Sequence, residues 1–90
     1  MGNMFFVYIL YSESLNKHYI GYTRDLDDRI NKHNRSKIGF TSQGKPWKLI
    51  YFEQYDTKEA SLARERQLKS WKNKIRIETL IRNSGSEHPD

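Results

Sequence analysis

Phe5 to Tyr11 is an unbroken apolar and aromatic run, too short to span a membrane and long enough for a strand buried on both faces. A polar interval, Ser12 to Lys17, supplies turn residues with an Asn-Lys pair near its tip. A second short run, His18-Tyr19-Ile20-Gly21, follows directly, and the two runs read as a β-hairpin. After Gly21 the period changes. Leu26 and Ile30 recur at helical spacing, Thr23 or Asp25 can cap, and acids crowd the first turn, so a helix is expected to end near Asn34. Arg29 and His33 lie one turn apart on a single face of it, Arg29 at the margin of the apolar stripe.

Arg35 to Pro46 has no sustained period and reads as a long loop. It is cationic and carries no acid, so it either tracks a phosphate backbone or is a solvated connector. Trp47 to Glu53 is β-branched and aromatic enough for a third strand. Asp56-Thr57-Lys58-Glu59 reads as a capping box opening a second helix, with Ala60, Ala63, Gln67, Leu68 and Trp71 along one side. Ile75, Ile77, Leu80 and Ile81 suggest a last helix packing back after a break near Asn73. The order β-β-α-β-α-α describes an α+β domain: a small three-stranded antiparallel sheet flanked by helices. Residues 1–82 form that domain, and the polar, breaker-rich stretch 83–90 is expected to be a disordered tail.

Composition narrows the function. Ninety residues suffice for one modest core. Sixteen Lys and Arg against eleven Asp and Glu leave a net charge of +5, which favours an anionic partner, nucleic acid before membrane. The absence of cysteine excludes disulfides and thiolate metal sites. No signal peptide, membrane span or lipidation motif is recognisable, so a soluble, cytoplasmic protein is expected. The glycines are scattered, His18, His33 and His88 lack zinc spacing, and no nucleophile elbow occurs.

What remains is a set of polar side chains, each on an ordered element: Tyr8 and Tyr19 on strands, Arg29 and His33 on the first helix, Glu65 on the second. A tyrosine hydroxyl within an apolar strand is either satisfied in the core or turned toward a cleft. If the five converge, they offer a base, an anion-stabilising cation, a second proton carrier and a carboxylate for one hard metal ion. That set suits phosphodiester hydrolysis, and Mg²⁺ often takes only one or two protein carboxylates. On spacing alone, a non-catalytic nucleic-acid-binding module is the favoured reading, ahead of a nuclease.

The hairpin resembles the signature of the GIY-YIG nuclease superfamily. Phe6-Val7-Tyr8 stands where the first motif falls, keeping its tyrosine, and Tyr19-Ile20-Gly21 matches the second as written. The helix with Arg29 and its His33-Asn34 ending, and Ala63 to Lys69 around Glu65, are similar to the family's arginine and glutamate helices. The likeness covers roughly Phe5 to Ile81. It is nearest to the small stand-alone members and similar to the nuclease domain of the bacterial excision-repair incision subunit.

The resemblance implies a metal-dependent endonuclease acting on DNA in repair or recombination, its rival being a DNA-binding module of the same fold that is non-catalytic or needs a protein partner. Tyr8 would be the general base or position the attacking water, with Tyr19 beside it. Arg29 would stabilise the phosphate, His33 would assist proton transfer, and Glu65 would bind a single Mg²⁺ or Mn²⁺. Gly21 would allow close backbone approach, and Asn73 is either a further site residue or a helix cap. Arg24, Arg35, Lys37, Lys45, Arg64 and Lys69 are the expected DNA contacts, and a protein partner would supply targeting to branched or damaged DNA.

Overall fold

The computed structural model describes residues 4–35, 43–71 and 74–86. Its elements run β1 (Phe5–Ser12), β2 (Lys17–Thr23), α1 (Leu26–Arg35), β3 (Trp47–Tyr55), α2 (Lys58–Ser70) and α3 (Lys74–Ser86). The three strands form one antiparallel sheet in the order β2-β1-β3. The expected α+β architecture and element order are those observed.

β1 is the centre because its sequence has no polar face to give to water. Alternation sends Tyr8 and Leu10 to one side, where they pack with Trp47 against Leu26 and Ile30 of α1. Val7 and Ile9 go to the other side, against Leu68 of α2 and Ile77 of α3. All four β1 residues are essentially inaccessible to solvent. The result is three layers, with α1 on one face of the sheet and α2 and α3 on the other.

The connections explain the placement. Asn16 at the hairpin tip has φ 53°, a left-handed conformation that asparagine tolerates. Its Oδ1 accepts from the Tyr11 hydroxyl (2.7 Å) and from Lys74 Nζ (2.8 Å), which ties the tip to α3. Of the two expected caps of α1, Asp25 is the one used, and Thr23 shapes the turn ahead of it. Thr23 Oγ1 accepts from the Asp25 amide (3.1 Å), and Asp25 Oδ1 accepts from the Asp28 amide (3.1 Å). At the far end of α1 the Asn34 side chain donates to Trp47 O (3.2 Å) and accepts from Trp47 N (2.6 Å), fixing the start of β3. A register shift between Ile9 and Leu10 leaves Ile50 as an extra residue on β3.

Four expectations need correction. The cap of α2 is Thr57, whose side chain accepts from Ala60 N at 3.1 Å. The third helical position is therefore Ala60 and not Glu59, and the reciprocal half of a capping box is absent. The inward face of α2 carries Ser61, Arg64, Glu65 and Leu68, while Ala60, Ala63 and Gln67 are exposed. On α3, Ile77 is buried but Ile75 points to solvent. Finally, α3 continues through Asn83 to Ser86, where a disordered tail was expected to begin. Asn73, Lys37 and residues 87–90 lie outside the described residues.

Candidate active site

A pocket of about 390 Å³ opens at the end of β2. Tyr8 of β1, Tyr19, Gly21, Tyr22 and Thr23 of β2, Arg29 of α1 and Glu65 of α2 line it, together with Arg24 and Asp25. Four elements on both sides of the sheet therefore meet at one edge.

Register explains why Gly21 is there. It sits directly opposite Tyr8 on the neighbouring strand, and the phenol lies across it. A Cβ at position 21 would stand 2.5 Å from the Tyr8 hydroxyl and 2.7 Å from the carbon that bears it. The glycine lies within a strand and not in a turn, and it also lines the pocket. It is the space the Tyr8 ring occupies.

Tyr8 is 1% exposed, yet its hydroxyl reaches the pocket and lies 3.2 Å from His33 Nε2. Burial pushes the phenol well above its usual range, the neighbouring Tyr19 and Glu65 add to this, and Arg29 works against them. Burial also holds His33 below the usual histidine range, and Arg29, one turn earlier, pushes in the same direction. A protonated phenol thus faces a neutral imidazole, and the tautomer of His33 sets which of the two donates across this contact. His33 is 7% exposed and lies behind Tyr8 and Tyr19 rather than on the pocket wall; its ring meets that of Tyr19 edge-on at 4.5 Å. Tyr19 stacks on Tyr8 at 6.4 Å and meets Trp47 edge-on at 6.1 Å.

Glu65 comes in from the opposite face, its side chain 17% exposed and paired with Lys69 Nζ at 3.1 Å. Among the described residues no three His, Cys, Asp or Glu side chains are grouped to hold a metal. One carboxylate among phenol and hydroxyl oxygens, in a pocket roomy enough for water, fits a hard divalent ion that keeps much of its hydration shell. It does not fit a fully protein-ligated zinc.

The structure therefore brings together Tyr8, Tyr19, Arg29 and Glu65 on one pocket, with His33 joined through Tyr8. The basic residues separate. Arg24 lines the pocket, with its guanidinium over the Phe5 ring at 5.5 Å. Arg35 and Lys45 lie away from it; Arg35 donates to Asn31 O (3.3 Å). Lys69 is held by Glu65. Arg64 lies outside the pocket lining; its guanidinium forks onto both oxygens of Glu53 (2.9 and 3.0 Å) and donates to Gln67 (2.8 Å). Tyr51 and Tyr55 donate to the same Glu53 carboxylate. Burial pushes that carboxyl up, but the arginine and the two hydroxyls outweigh it and hold Glu53 below its usual range. Arg64 is thus a brace between β3 and α2. Sequence reading also passed over Thr23, Asp25 and Tyr22 on the pocket wall, and the role of Asn34. The Asn34 bond to Trp47 has no local signature, since its partner is thirteen residues away.

The family model described as the GIY-YIG catalytic domain matches residues 4–79 of the chain. The chain belongs to the GIY-YIG family. That family is of nuclease type, and its small stand-alone members are the relatives found. The UPF0213 protein HQ_3675A of Haloquadratum walsbyi is 38% identical over 74 residues, 79% of this chain and 80% of the relative. A UPF0213 protein of Staphylococcus aureus is 37% identical over 62 residues, 66% of this chain and 76% of its own. The solution NMR structure of the UPF0213 protein BH0048 from Bacillus halodurans aligns with a TM-score of 0.60 at 29% identity, covering 93% of this chain and 88% of that one. The GIY-YIG motifs are thus carried here as FVY and YIG, with Gly21 of the second seated under Tyr8 of the first.

Proposed function

We propose that this GIY-YIG protein is a metal-dependent endonuclease that hydrolyses DNA phosphodiester bonds, acting in repair or recombination. The observation that carries the reading is the meeting of Tyr8, Tyr19, Arg29 and Glu65 on one pocket from four separate elements. In this reading the scissile phosphate enters beside Arg29, which neutralises the charge that grows on its oxygens. An attacking water gives its proton to the Tyr8 oxygen as the phenol passes its own proton to His33 Nε2, so Tyr8 ends the step protonated as it began and the imidazole is the net acceptor. Tyr19 holds the water or a phosphate oxygen beside that relay. Glu65 holds a single Mg²⁺ or Mn²⁺, which when bound supplies Lewis-acid polarisation of the phosphate. Lys69 must swing off Glu65 for this, a modest cost for an i,i+4 pair whose lysine is exposed.

Cleavage of end-labelled duplex, flap and branched DNAs with Mg²⁺ or Mn²⁺ tests the reading. The wild type is expected to cut at least one of them only when metal is present, and Glu65→Gln to abolish cutting while DNA binding persists. Salt-sensitive binding with no metal-dependent cutting of any substrate would replace the nuclease with a binding module or a partner-dependent enzyme.

A further inference from the structure

On the α1 side of the sheet, at the β3 edge, an apolar patch is left uncovered. Phe52 is 49% exposed and Met4 39% exposed, while Phe6 is half-buried and meets Phe52 edge-on at 5.9 Å and 68°. In register Phe52 is the direct cross-strand partner of Tyr8. Paired residues project to the same face with Cβ atoms about 5 Å apart. An exposed ring on the edge strand, beside a buried phenol that lines a pocket holding Arg24 and Arg29, is a poor use of a phenylalanine unless something covers it.

We infer that Phe52, buttressed by Phe6, is a stacking platform for one unpaired nucleobase next to the phosphate held in the pocket. The substrate is then a nucleic acid that is single-stranded or frayed at the cut, and the inference rests on the reading of the pocket as a phosphodiester site. Two observations select a base as the occupant. The Phe52 ring is open on one side and fixed by Phe6 on another, which is how a planar partner is received. The patch is continuous with the pocket, since Thr23 on the pocket wall is the cross-strand partner of Phe6. Within a duplex both faces of each base are already stacked on neighbours, so only an unpaired base can lie on the ring.

The test compares the binding of fluorescein-labelled oligonucleotides of about twelve nucleotides, single-stranded and as blunt duplex, to wild type, Phe52→Ala and Phe52→Trp. Because Phe52 is exposed, all three should fold, which thermal melting checks. Phe52→Ala is expected to weaken single-strand binding roughly tenfold and leave duplex binding within about twofold. Phe52→Trp is expected to restore it and to show an indole quench, above that of the wild type, with single strand and not with duplex. Equal loss on both DNAs, or on neither, overturns the platform. So does a wild-type dimer in sedimentation that Phe52→Ala dissociates without changing single-strand binding, which would assign the patch to a second copy. If duplex DNA is cut equally by wild type and Phe52→Ala, with single-strand binding unaffected, the platform fails and the nuclease stands. If no DNA is bound at all, both fail.

Discussion

At the residue scale the site turns on a pair that shares one volume. Tyr8 can be a buried phenol with its hydroxyl at a pocket only because Gly21 has no Cβ. Gly21→Ala should therefore displace the phenol from His33 and lower kcat by about a hundredfold or more, the range of a lost acid–base group, while leaving DNA binding near wild type. A cleavage assay paired with a binding titration checks this; full activity in Gly21→Ala would remove Tyr8 from the chemistry. The two tyrosines, Arg29 and Glu65 were legible because each is a polar residue anchored at a fixed place on a periodic element. The part played by Gly21 was not, since a strand glycine reads alike whether it accommodates a turn, a ligand or a neighbour's ring. His33 was legible as a site residue, but its place behind Tyr8 follows from the 25-residue span that folding closes.

At the element scale α2 shows how a functional face defeats a search for apolar periodicity. The helix turns Ser61, Arg64 and Glu65 inward around a single buried leucine, so the small and neutral residues on its outer side imitated a core stripe. Its position is set instead by the fork between Arg64 and Glu53, which adjoins Glu65 in sequence and carries the helix to β3. Removing one partner of a mostly buried pair strands the other charge. Glu53→Gln should destabilise the fold by about 2 kcal/mol, discounted for partial exposure, and lower the melting temperature by roughly 10 °C. Calorimetry checks this, and an unchanged melting temperature would show that α2 is held by Leu68 and its apolar neighbours alone. The strands and helix order were legible because a two-faced apolar run and capped helical periods are local signals; the brace was not, because tyrosine, glutamate and arginine at such positions also describe an ordinary solvated surface.

At the scale of the whole molecule, protonation acts on both β2 and α1. His18 is held below the usual histidine range mainly by burial, with Lys74 pushing the same way and Glu78 opposing, and His33 is held there by burial and Arg29. The unfolded chain, with histidines near 6.5, therefore binds more protons than the folded one as pH falls. Stability is complete above about pH 6.5 and declines as pH drops through the depressed folded values. Thermal melts between about pH 5 and 7 should show this decline, and His18→Asn with His33→Gln should flatten it. A melting temperature indifferent to pH in that window would contradict the burial of both rings.

β1 is the strand with a partner on each side and helices over both faces, and it carries Tyr8. Strands of that kind are the last to exchange their amide protons, opening only when the entire domain opens. Tyr8 thus sits in the slowest-exchanging part of the chain, whereas Arg29 and Glu65 ride on helices that can loosen separately. Any on–off control of this site must work through α1 or α2, because the strand that holds its phenol has no partly open form to offer a regulator.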